Sequence, residues 1–64
     1  MGYQKKFDNL KDAQKCALLL KKSGKRDVSI IKSPENRQDP ESPISYYVES
    51  PPGMIRPTEE EIKV

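Results

Sequence analysis

Apolar residues fall into separate groups along the chain, and their spacing changes from group to group. In GYQKKF, residues 2–7, Tyr3, Lys5 and Phe7 share one side of an extended chain, with Gln4 and Lys6 on the other. That alternation predicts a short strand. Over residues 8–24 the period changes. Leu10, Ala13, Ala17 and Leu20 recur at spacings of three, four and three, which is one face of a helix. Cys16 flanks that face, and Leu18 and Leu19 widen the apolar stripe. The run is rich in Ala, Leu, Lys and Gln, all good helix formers, and contains no proline. Asp8 or Asn9 suits the N-cap. Lys21 and Lys22 suit the electronegative last turn, and Gly24 suits the left-handed position that closes a helix.

Two further strands follow. In DVSIIKS, residues 27–33, Val28 and Ile30 share a side and Ile31 lies opposite. In ISYYVES, residues 44–50, Ile44, Tyr46 and Val48 alternate with Ser45, Tyr47 and Glu49. Between them SPENRQDPESP, residues 33–43, is polar, holds three prolines and has no period, so it reads as a loop. At eleven residues it is long for a hairpin connection, and loops of that length are often functional or mobile. After residue 50, PPGMIRP excludes regular structure because proline lacks the N–H a ladder needs. TEEEIKV, residues 58–64, carries Thr58 with Glu61 three positions on, a capping-box pattern compatible with a short helical turn and equally with a frayed tail, since so short a helix is marginal in water.

These elements predict an α+β fold: a compact βαββ domain over residues 1–50, followed by a Pro-rich and acidic C-terminal segment over residues 51–64. One amphipathic helix covers one face of a three-stranded sheet, with strand order 1-3-2 in the split βαβ arrangement. The face away from the helix then carries Gln4, Lys6, Ser29, Ile31, Tyr47 and Glu49. With nothing predicted to cover it, Ile31 and Tyr47 form an exposed apolar patch. Met54 and Ile55 of the Pro-rich segment extend the candidate partner surface.

Composition narrows the chemistry. A chain of 64 residues buries only about 60% of the surface its unfolded form exposes, so its core is small. Small domains commonly add a disulfide, a metal or a partner. A single cysteine and no histidine exclude an internal disulfide and a four-ligand zinc site, which leaves idealised packing, or association with another protein or a second copy, the latter being favoured. Cys16 has no histidine to activate it and lies in an apolar run, so it reads as a core residue in a reducing compartment. The three glycines are too far apart for a phosphate-binding loop. The acidic residues fall in loop and tail, where nothing raises their pKa for acid–base work. No enzyme chemistry and no cofactor are expected. The longest apolar run, CALLL, is far shorter than the roughly 20 residues a membrane span needs. A soluble cytoplasmic protein with no membrane partner is expected.

Charge is uneven. Residues 1–32 hold nine Lys/Arg against three Asp/Glu, while residues 33–64 hold three against seven. Lys5, Lys6, Lys21, Lys22, Lys25 and Arg26 are the candidate polyanion patch, most of it around the turn after the helix. Lysines at a helix end are also ordinary capping and solubilising residues. "PESP" at 40–43 matches P-x-x-P, but Ser-Pro is ordinary turn chemistry. The leading expectation is a non-catalytic protein-binding module: an adaptor, regulator or inhibitor, of the size common among viral and mobile-element accessory proteins. The alternative is a nucleic-acid-binding regulator working through the basic patch.

Overall fold

The helix is bounded at both ends by its own sequence. In the computed structural model, which describes residues 2–64, α1 spans Leu10–Lys22. Asn9 is the N-cap: its Oδ1 accepts the Asp12 N–H at 2.8 Å, and its Nδ2 donates to the Asp12 carboxylate at 3.1 Å. At the other end the Lys25 N–H reaches the Leu20 carbonyl at 3.1 Å and the Gly24 N–H reaches the Lys21 carbonyl at 3.2 Å. Gly24 takes φ 97°, the left-handed conformation this closure requires. An isolated helix of 13 residues is marginal in water, so α1 depends on what it packs against. Ala13 and Ala17 are its fully buried residues, and their small side chains let the helix lie close on the sheet.

The sheet has four strands in the order β1-β3-β2-β4, all neighbours antiparallel. β1 is Tyr3–Phe7, β2 Ser29–Pro34, β3 Ile44–Ser50 and β4 Glu60–Lys63. One cross-strand row, Lys5–Val48–Ile30–Ile62, faces the helix. Ile30 and Val48 are buried against Ala13 and Ala17, with Tyr3, Phe7, Tyr46, Leu20 and Val64 packed around them. The first three strands keep the 1-3-2 order that the pattern predicts.

The C-terminal segment departs from expectation. Residues 60–63 are extended, not helical, and add a strand outside β2. Ile62 sits opposite Ile30 and joins the apolar side, whereas a helical turn there would be too short to hold itself. The capping pair does not form: the Glu61 carboxylate instead accepts the Ser29 hydroxyl at 2.8 Å. β2 thereby becomes an interior strand.

A second departure follows. β3 and β4 run in the same direction, since both are antiparallel to β2. Residues 51–59 must therefore travel back along the sheet, and they arch over the face away from α1. The 35–43 loop folds beside that arch, tied internally by Glu35 N–H to the Pro43 carbonyl at 2.7 Å and Asn36 N–H to Ser42 Oγ at 3.0 Å. Ile31, expected as an exposed patch residue, is fully enclosed beneath this roof, together with Ser33, Ser45, Glu49 and Glu59.

Arg37 holds the roof down. Its guanidinium stacks on the Tyr47 ring at 4.8 Å and lies 3.4 Å from Glu49 Oε2. Its Nε is 2.7 Å from Glu59 Oε2, approached off the N–H axis, so the contact is a close ion pair and not an aligned hydrogen bond. The Tyr47 hydroxyl donates to the Glu35 carbonyl at 3.0 Å.

Candidate functional site

Two surfaces stand out on this frame. The first is a shoulder where α1 meets β4. Successive helix positions are 100° apart, so with Ala13 and Ala17 facing the sheet Leu18 points outward on the β4 side. Leu18 is 50% exposed and Leu19 67% exposed. A groove of about 310 Å³ runs between helix and strand, lined by Gln14, Leu18, Ile30, Ile62, Lys63 and Val64. A second apolar depression of similar volume, about 310 Å³, lies on the outer helix face between Lys15, Leu18, Leu19 and Lys22. β4 has β2 on one side only, so its other edge presents unpaired backbone groups.

The second surface is a recess of about 640 Å³ at the end of the sheet, walled by Val28, Pro51, Pro52 and Val64. Lys21, Lys25, Arg26 and Lys63 line it, and so do Asp27 and Glu61. Lys21 Nζ is spent on the Val64 carbonyl at 2.9 Å. Asp27 takes φ 57° in the turn, a left-handed conformation that Asp tolerates better than most residues. Four cations against two carboxylates leave the recess only mildly basic.

The six residues of the predicted polyanion patch therefore divide. Lys21, Lys25 and Arg26 meet in the recess. Lys22 lies on the outer helix face. Lys5 rests over the Phe7 ring at 5.4 Å. Lys6 is on the opposite sheet face, paired with Glu35 at 2.7 Å. The predicted partner surface divides too. Ile31 is enclosed, Tyr47 is half-buried under Arg37, Ile55 is half-buried in the arch, and Met54 is 92% exposed on it. Leu18, Ile62, Lys63 and Val64 were not predicted as surface residues. The signal for Leu18 and Leu19 was present, because two leucines beyond the Ala13/Ala17 line make the stripe wider than one sheet face can cover.

Electrostatics follow from these contacts. Burial pushes the Glu59 carboxyl up. The Arg56 N–H donating at 3.0 Å, the Ser33 hydroxyl and the charges of Arg37 and Arg56 outweigh it, and its pKa lies below the ordinary glutamate value. The Ser33 hydroxyl itself donates to the Pro34 carbonyl at 3.0 Å. The hydrogen bond to Glu35 raises the Lys6 amine, and the same bond lowers Glu35. The Tyr3 hydroxyl contacts Cys16 Sγ at 3.4 Å, and that contact, with burial, raises the phenol. Cys16 is half-buried beside the core.

Among the described residues no helix is long and apolar enough to cross a membrane, and no cluster of three or more His, Cys, Asp and Glu side chains is placed to hold a metal ion. No protein-family profile, curated protein or solved structure matches the chain.

Proposed function

We propose that the chain is a non-catalytic protein-binding module, an adaptor, regulator or inhibitor that docks its partner on the α1/β4 shoulder. The exposure of Leu18 and Leu19 beside an open strand edge carries this reading. Burying one leucine side chain is worth about 1.5–3 kcal/mol, so leaving two in water beside a groove forgoes stability that a bound partner supplies. Three of the acidic groups are held by neighbours: Glu59 by Arg37, Glu35 by Lys6 and Glu61 by Ser29. That supports a binding role over acid–base chemistry.

The test is capture from a cell extract by the immobilised chain, run beside Leu18→Asp and Leu19→Asp. The reading expects a retained protein, or a tagged copy of the chain itself, that is lost with Leu18→Asp while the thermal melt is unchanged. Retention that is identical for all three chains, or absent for all three, overturns it.

A second reading has one observation in its favour. Lys21, Lys25 and Arg26 do converge, joined by Lys63, on a recess large enough for a phosphate group. A nucleic-acid-binding regulator predicts retention on DNA or RNA that falls steeply with salt. Arg26→Glu together with Lys25→Glu should abolish it, and retention unchanged by that pair removes this reading.

A further inference from the structure

The inference rests on the shoulder as a protein-docking surface and names its occupant. We propose that a second copy of the chain docks there, β4 pairing antiparallel with β4 about a two-fold axis through Ile62. Glu61 of each copy then faces Lys63 of the other.

The charge order of β4 selects this register. In an antiparallel pair related by a two-fold axis normal to the sheet, directly opposite residues lie on the same face. Glu61 and Lys63 share the face away from α1, because they stand opposite Ile31 and Ser29 of β2. An axis through Glu61 sets Glu61 against itself, and an axis through Lys63 sets Lys63 against itself. The axis through Ile62 sets Glu61 against Lys63 twice and places the two Ile62 side chains together on the helix side. Opposite charges directly across a ladder stabilise the pairing, and like charges oppose it.

The other edge behaves differently. β1 carries Lys5 and Lys6 and no acidic residue, so no register of β1 against itself gives an attractive charge pair. Lysines on an edge strand discourage such pairing. The apolar groove also lies on the β4 side: Leu18, Ile62 and Val64 of one copy come to face those of the other across the axis. The product is one eight-stranded antiparallel sheet, four strands from each copy, with both helices on one face.

Sedimentation equilibrium of the full chain tests this at low and high salt. The chain should self-associate as a dimer. Glu61→Lys alone and Lys63→Glu alone each create two like-charge contacts and should weaken the dimer roughly tenfold at low salt. Mixing these two variants should form a heterodimer as tight as the original, since every contact is again attractive. Lys63→Glu leaves the Ser29–Glu61 hydrogen bond untouched, so its effect does not depend on disturbing the fold. Single variants that dimerise as tightly as the parent, or a failure of the mixture to recover, overturn the register. A chain that stays monomeric throughout overturns self-pairing. If extract capture is still lost with Leu18→Asp in that case, the shoulder stands with a different occupant; if capture also fails, both readings fall.

Discussion

The two faces of the sheet are closed by different means. On one side Ile30 and Val48 meet Ala13 and Ala17 of a capped helix, and the contact is apolar. On the other Ile31 is just as fully enclosed, but its cover is irregular chain pinned by Arg37, Glu49, Glu59 and Tyr47. Two adjacent isoleucines in one strand are therefore buried by unlike structures. Apolar packing between regular elements resists collapse when a side chain is removed. A roof of loops held by an ion pair can settle, but it depends on charge.

Truncation of the two isoleucines draws the sharpest line. Ile30→Ala should cost about 4 kcal/mol and Ile31→Ala about 2 kcal/mol in denaturant unfolding, because the arch can close over the lost volume and the helix face cannot. Equal costs would mean that both faces are equally rigid. Arg37→Ala comes next, at about 3 kcal/mol, because it takes the 2.7 Å guanidinium from a buried Glu59 and leaves only Arg56 beside it. Arg37→Met combined with Glu59→Leu should recover most of that loss, and a double variant no better than the single would show that the geometry of the pair itself matters.

Acid separates the faces further. With its folded pKa below the ordinary value, Glu59 contributes stability that is complete above the unfolded glutamate pKa of about 4.3 and is lost as pH falls through the lowered folded value. Glu35 is lowered too, so the comparison with Glu59→Gln isolates the contribution of the roof: that variant should show a shallower loss of stability below about pH 4.3. The smallest effect belongs to the helix side. Asn9→Ala removes the cap on Asp12 N–H and should cost about 1 kcal/mol in denaturant unfolding.

The same contrast explains what the sequence discloses. The helix, its caps, three strands and the division of β2 and β3 into two faces all follow from spacing and from Asn9, Gly24 and the loop prolines. Lys6, Tyr47 and Ile31 fall in one cross-strand row, as their alternation predicts. The cover over that row has no period to read. Arg37 lies in a stretch that looks like a plain polar loop, and its partners are 12 and 22 positions away. β4 was hidden for a related reason. EEIK has only one strongly apolar residue, and its extended form depends on a free β2 edge rather than on local preference. The shoulder was half legible: Leu18 and Leu19 stood out as surplus apolar positions, but without β4 there was no groove for them to border.

Between Pro52 and Arg56 the arch is open to solvent: Gly53 has free space around it and Met54 is almost wholly in water. A foreign segment spliced there would touch neither isoleucine, and doubling the length of the connection adds only about 0.6 kcal/mol of closure entropy. The tip is accordingly a natural attachment point for a fluorophore or an affinity handle, one that leaves the α1/β4 shoulder free to be watched as it engages.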